Sequence, residues 1–352
     1  MRGVTDPASD RRVLAERLAA QRLAGPPLTT ATGVVEHLLA VQGQDPLGAR
    51  LAVRARTRGL TAADVDAALD AGELLVTWVN RGTLHLVRRE DYFWLHALTT
   101  PQLLTGNARR LTQEGVTPEA AERGVATVVA ALEAAGRLTR PELRDRLDAA
   151  GVRTAGQALV HVLVLASLRG LVVRGPMAGR EHAYVLVRDW LGEPPAVDRD
   201  AALAELARRY LAAHGPAGDR DLARWAGVPL RDARRGLAGL RVRTYERESG
   251  LIALTPAPGR LAAPRPRLLG PYDPVLLGWT DRSALLGRHR SIVTVNGLFR
   301  PFAMVDGRAV GTWALKHGSV QLDLADPVDA AAARALAGEA ADVERFVAPT
   351  PS

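Results

Sequence analysis

The chain has no cysteine, a single lysine, Lys316, and few aromatic side chains: six tryptophans, five tyrosines and four phenylalanines in 352 residues. Without thiols there can be no disulfide, no thiolate metal site, no iron–sulfur cluster and no cysteine nucleophile. A Schiff-base mechanism needs a nucleophilic amine, and here only Lys316 and the N-terminal amine supply one. The eight histidines are scattered without the spacing of metal ligands, so neither a metal nor another cofactor is expected. No apolar run approaches the roughly 18 residues that a transmembrane helix needs. The first ten residues are polar and mixed in charge, unlike a secretory signal. A cytoplasmic protein with no membrane partner is the expectation.

What the chain does have is arginine. Basic residues number 46 against 38 acidic ones, a net charge of +8, and all but Lys316 of the basic residues are arginines. A GC-rich genome accounts for arginine over lysine but not for the excess of positive charge. A soluble protein this basic has a polyanion as its natural partner, nucleic acid first among them.

The hydrophobic periodicity repeats an architectural unit. Helices are predicted over 13–23, from Thr29 or Thr30 to 39, over 47–56 and over 62–71, followed by a two-stranded ribbon, 75–79 and 83–87, around Asn80-Arg81-Gly82. Helices over 119–135, 140–150 and 155–168 precede strands at 171–174 and 182–187. Helices over 199–214, 220–226 and 229–240 precede strands at 241–245 and 251–254, on either side of Glu248-Ser249-Gly250. Helices followed by a hairpin describe a winged helix. After a proline-rich linker, 256–266, the texture turns to strands at 291–295, 301–305, 309–315 and 320–324, joined at Asn296-Gly297, Asp306-Gly307 and His317-Gly318, and a helix over 328–346. Asn-Gly and Asp-Gly between apolar runs are strong hairpin signals. The expected fold is α+β, mostly α: winged-helix units over 10–100, 115–192 and 198–256, then a small antiparallel β-domain, sheet or barrel, with a closing helix over 267–346. The tail from 347 is expected to fray.

Winged helices put their third helix in a groove and their wing on the backbone. Arg231, Arg234 and Arg235 on the third unit's helix, with Arg241 and Arg243 on its strand, suit phosphate contacts. So do Arg81 in the first ribbon and Arg54, Arg56 and Arg58. Arg288, His289 and Arg290 precede a predicted strand and suit a basic hairpin tip, though a solvated turn explains them as well. The helix over 155–168 is almost wholly apolar and reads as core. His85 lies opposite Leu84 and Leu86 on its strand and reads as structural. Asp273, Asp281 and Arg282 suggest a local ion pair.

Four segments carry a resemblance to a known family. They are Ala40-Val41-Gln42-Gly43-Gln44-Asp45-Pro46, the ribbon Trp78 to Val87, the stretch Leu269 to Arg282, and Asn296 to Pro301 with Val305 to Trp313. In this order the chain resembles the AlkZ/YcaQ-type winged-helix DNA glycosylases over about residues 10 to 345. The resemblance implies tandem winged helices, a C-terminal β-domain, double-stranded DNA as partner and a catalytic Gln-x-Gln, which Gln42 and Gln44 match. This branch of the family is associated with self-resistance to bulky alkylating antibiotics. Gly43 departs from the pattern, standing where a larger apolar residue is expected.

The chemistry of the glutamines is restrictive. An amide is no general base at neutral pH; it only donates and accepts hydrogen bonds. Two amides can hold a water and turn carbonyl dipoles toward an oxocarbenium ion. That suffices when the leaving group is already activated, as in a cationic purine alkylated at N7 or N3. The expectation is a monomeric, monofunctional glycosylase without lyase activity. Asp45 is a candidate assisting carboxylate, though Asp before Pro46 also reads as a helix cap. Both glutamines could instead cap the adjoining helices. With so few aromatics near Gln42, access to the lesion through the groove, without full extrusion of the base, is expected. The competing readings are a winged-helix transcription regulator and a non-catalytic lesion-binding protein.

Overall fold

The computed structural model describes residues 7–179, 181–242, 244–246, 250–254 and 261–348. Arg243, Glu248, Ser249, the linker from 256 to 260 and the tail from 349 lie outside the described residues. The chain runs α1 (Pro7–Ala20), α2 (Ala31–Leu38), β1 (Val41–Gln42), α3 (Pro46–Arg54), α4 (Ala62–Asp70), β2 (Leu74–Val79), β3 (Thr83–Arg88), α5 (Tyr92–Thr99), α6 (Leu104–Gln113), α7 (Pro118–Ala135), α8 (Arg140–Ala149) and α9 (Ala158–Leu168). It continues through β4 (Val172–Ala178), β5 (Glu181–Leu186), α10 (Val187–Leu191), α11 (Arg199–His214), α12 (Asp219–Ala226), α13 (Leu230–Ala238), β6 (Thr244–Glu246) and β7 (Ile252–Leu254). It ends with β8 (Arg267–Leu269), α14 (Ser283–Leu286), β9 (Phe302–Val305), β10 (Arg308–Lys316), β11 (Ser319–Leu324) and α15 (Ala330–Val347). The class is α+β, mostly α.

Local chemistry explains where the helices begin. The hydroxyl of Thr117 accepts from Ala120 ahead of Pro118, and Thr139 and Glu142 cap each other reciprocally at α8. Asp329 caps α15 through Ala332. α5 and α6 fall in a stretch for which no element was predicted.

Two compact units form. One holds Met1–Val65, Leu203–Trp225 and Pro229–Ser352; the other holds Asp66–Ala202 and Ala226–Val228. The sequence ranges 10–100 and 198–256 each contribute to both, whereas 115–192 lies in the second unit and 267–346 in the first.

In the second unit the two predicted ribbons share one antiparallel sheet, in the order β3-β2-β4-β5. β2 pairs with β3 along its length, Leu75 opposite Val87 and Trp78 opposite Leu84, and with β4 at Val76 and Arg174. All six residues of β2 are buried, which is why the strand reads as an apolar run, broken only by Thr77, rather than as an alternation. α9 is buried along most of its length, as its apolar sequence predicts.

In the first unit the strands β11-β10-β9-β8 form an antiparallel sheet with two open edges, so the β-domain is a sheet and not a barrel. The turn Asp306-Gly307 joins β9 to β10 as predicted, both residues in the left-handed region at φ 49° and 77°. The strand predicted over 291–295 does not form. Residues 290–292 make a 3₁₀ turn, and a single bridge between Val293 and Phe299 closes the loop that follows.

Candidate active site

The glutamine loop leaves α2 at Leu39, whose backbone adopts φ 67° although the side chain is a buried leucine. A bulky residue in this region is an outlier that the surroundings must enforce. β1 follows, with Gln42 only 6% exposed, while Gln44 stands exposed in the bend beyond it. Asp45 caps α3: its Oδ1 accepts from Gly48 N at 2.6 Å, and Pro46 takes the first helical position. α2 ends on Leu39 and α3 starts from Asp45, so neither glutamine serves as the terminal cap residue of these helices.

The stretch after β8 presses on this corner. Asp273 is fully buried and receives two hydrogen bonds from the Arg56 guanidinium, at 2.9 and 3.0 Å. Arg56 also donates to the carbonyl and side-chain oxygens of Gln21, each at 2.8 Å, and to Ala52 O at 2.9 Å. Gly48 and Gly270 allow close approach: a Cβ on Gly48 would lie 2.4 Å from the carbonyl oxygen of Pro271, and one on Gly270 2.8 Å from Leu51 Cβ. Held between these anchors, Tyr272 adopts φ 57°. Its half-exposed ring lies 5.3 Å from that of Phe299. Burial, and then the charge of Asp45, push its phenol up. Arg282 lies over the other aromatic, 5.6 Å from the Phe299 centroid, and its Nε donates to Leu276 O.

Phe299 begins the return of a small hairpin. Thr294 N donates to Leu298 O at 2.9 Å, Gly297 N to Thr294 O at 3.0 Å, and Arg300 N to Ile292 O at 2.8 Å. At its tip Val295 is completely exposed and Leu298 is 57% exposed. Beside it runs a groove of about 750 Å³ whose lining includes Thr280, Arg282, Ser283, Arg290 and Val293.

The arginines singled out in the sequence fall into different settings. Arg54 is a correction: it is buried, bonded to Leu268 O at 2.6 Å and to Glu339 and Asp342 at 2.9 Å each, so it ties α3 to α15 and β8 instead of facing a ligand. Arg56 is likewise internal. Arg231, Arg234 and Arg235 are exposed on α13, Arg234 paired with Asp219 at 2.6 Å. Arg81 is half-buried in the turn between β2 and β3. Arg288, His289 and Arg290 are not at a hairpin tip. Arg288 and His289 both bond Asp326, His289 at 2.7 Å, while Arg290 is exposed in the 3₁₀ turn. Asp273 pairs with Arg56 and not with Arg282. His85 is buried, its Nδ1 is 2.9 Å from Thr83 O, and burial takes its pKa down to about 3. Sequence reasoning missed Tyr272, Phe299, Val295 and Leu298. Tyr272, Leu298 and Phe299 lie in the segments that carry the family resemblance, and the Asn296-Gly297 turn stands between Val295 and Leu298, but neither signal assigned them a role.

The family described as DNA glycosylase AlkZ-like matches residues 35–346. The chain is 30% identical over 364 aligned positions to an interstrand DNA cross-link repair glycosylase of Streptomyces sahachiroi, covering 96% of each. The solved structure of the Streptomyces sahachiroi DNA glycosylase AlkZ aligns with a TM-score of 0.77 at 27% identity, over 97% of this chain and 98% of that one.

Proposed function

Because the chain belongs to the AlkZ-like family of DNA glycosylases, we propose that it hydrolyses the N-glycosidic bond of purines made cationic by alkylation at N7 or N3 in double-stranded DNA. Its substrates include crosslinks, in line with its Streptomyces relative, an interstrand DNA cross-link repair glycosylase, and bulky antibiotic-derived adducts. It acts as a monomer in the cytoplasm, on nucleoid DNA, and residues 10–100, 115–192 and 198–256 serve as its winged-helix units.

The observation that carries this reading is the glutamine corner. Gln42 and Gln44 occupy a strained connection in which Asp45 already caps α3, so capping that helix does not explain them. An amide cannot take a proton from water, but it orients one, and its carbonyl dipole stabilises positive charge developing on the sugar. As the bond between C1′ and the purine nitrogen breaks, its electron pair neutralises the cationic base. The water oxygen bonds to C1′ and releases its surplus proton to solvent, with Asp45 as the assisting carboxylate. A neutral base would need a proton donor that two amides do not provide. This argues for alkylpurines and against uracil.

The exposed apolar tip at Val295 and Leu298 supports entry between base steps, and the adjoining groove with Arg290 supports a phosphate contact. Arg81, Arg231, Arg234 and Arg235 supply further backbone contacts. Arg288 and His289, held to Asp326, contribute less.

The test is release of 7-methylguanine, and of a bulky N7 adduct, read as alkali-induced strand cleavage. Wild-type cleavage lost in Gln42→Ala and in Gln44→Ala is the expected result. A protein that binds such DNA yet releases no base from either substrate is a regulator or a shield, and the proposal falls. Lys316→Ala is expected to keep full excision; a borohydride-trapped adduct on the wild type would overturn the assignment as monofunctional.

A further inference from the structure

Tyr272 is strained, braced and partly open to solvent, a combination that core packing does not call for. An aromatic residue at φ 57° costs on the order of 1–3 kcal/mol and persists only where its surroundings impose it. Here they do. On one side the Asp273 carboxylate is locked onto Arg56 with both side chains wholly buried, and on the other the Pro271 carbonyl lies against Gly48. Phe299 supports the ring at 5.3 Å. A Cβ on Gly48 would meet both the Pro271 carbonyl oxygen, at 2.4 Å, and Asp45 Oδ1, at 3.3 Å, so the Asp45 carboxylate lies beside the residue that precedes Tyr272, and after burial its charge helps push the phenol up.

We propose that the ring of Tyr272, braced by Phe299, is the surface that receives the cationic purine, and that the neighbouring Asp45 carboxylate favours a cationic base over a neutral one. The inference rests on the glycosylase reading and adds to it a named contact for the base. An aromatic face carries negative electrostatic potential and attracts a cation most strongly where water is excluded. A neutral purine gains stacking on the same ring but not this attraction. Arg282 lies over Phe299, the supporting ring, and its Nε donates to Leu276 O. On this view the damaged purine leaves its neighbours far enough to meet an aromatic face, contrary to the expectation drawn from the scarcity of aromatics.

The experiment is single-turnover release of 7-methylguanine from a duplex by the full chain. Tyr272→Phe and Tyr272→Trp should stay within about threefold of wild type, because they keep the ring. Tyr272→Leu should slow release on the order of thirtyfold, with affinity for undamaged duplex and melting temperature unchanged, a pattern that a structural role does not produce. Asp45→Asn keeps a good helix cap while removing the charge, and should slow release about tenfold. Because Asp45 also assists the water, its variant is read beside the tyrosine series and not in place of it; should Tyr272→Leu fail to fold, Tyr272→Met removes the ring in its stead, with the same slowing expected. Release by Tyr272→Leu at the wild-type rate, a loss in Tyr272→Phe as large as in Tyr272→Leu, or full activity in Asp45→Asn overturns the assignment. A wild type that releases no base overturns the glycosylase reading instead.

Discussion

At the scale of single residues, burial decides what a side chain can do. His85 and His214 are both held at a pKa of about 3, in each case first by desolvation. His214 is stacked on Tyr210 at 4.8 Å, with its Nδ1 3.2 Å from the Tyr210 carbonyl oxygen. Neither is a proton carrier near neutrality. Both instead make stability depend on pH. Their folded pKa lies below the unfolded value of about 6.5, so the unfolded chain takes up protons first as the pH falls. The stabilisation is complete above about pH 6.5 and is lost progressively toward pH 3. At pH 5 each histidine accounts for a loss of about 2 kcal/mol. Urea unfolding at pH 7.5 and at pH 5 should therefore give a clearly lower midpoint at pH 5, with His85→Gln narrowing the gap; equal midpoints would contradict this account. The position of the histidine on its strand was legible in the sequence, but its loss of basicity was not, because desolvation depends on everything packed around it.

At the scale of elements, caps and turns were readable and close approaches were not. Asp45 with Pro46 and Asp306-Gly307 carry their geometry in adjacent residues. The strand expected over 291–295 shows the limit of such reading: its apolar residues do turn at Asn296-Gly297, but only one bridge forms and the tip stays in solvent. Two glycines make the point testable. Gly106 lies in α6 with nothing within 4 Å of an added Cβ, so Gly106→Ala should gain up to about 1 kcal/mol from helix propensity. Gly48 also lies in a helix, α3, but its Cβ would meet the Pro271 carbonyl oxygen at 2.4 Å. Gly48→Ala should lose about 1 kcal/mol or more despite the same propensity gain, and should disturb Tyr272. Thermal melts of the two variants moving in the same direction would refute the close approach.

At the scale of the whole molecule, a net charge of +8 is not +8 toward DNA. Arg54 and Arg56 are buried on carboxylates, and Arg231, Arg234 and Arg288 are paired at the surface, Arg231 more loosely at 3.5 Å from Asp232. Arg231→Ala and Arg235→Ala, exposed on α13, should each lower the slope of log affinity against log salt by about one while leaving stability within about 0.5 kcal/mol. Arg54→Ala should leave that slope alone and destabilise the fold by about 3 kcal/mol, because Glu339 and Asp342 lose their partner on α3. Duplex titrations at several salt concentrations, beside melts of the same variants, separate the two kinds of arginine.

The sequence by itself determined the order of most helices and strands, though not α5, α6 or the loop at 291–295, together with the basic character, the amine-poor and thiol-free chemistry, and the amides of Gln42 and Gln44 between their helices. These follow from periodicity, composition and neighbouring residues. The tertiary structure alone decided that two ribbons share one sheet, which arginines are internal, and that the segment of Pro271 and Tyr272 packs on Gly48 beside Asp45. The reason is that pairings such as Arg56 with Asp273, 217 residues apart, are set by desolvation and packing over long distances in the chain, and leave no mark in the local pattern.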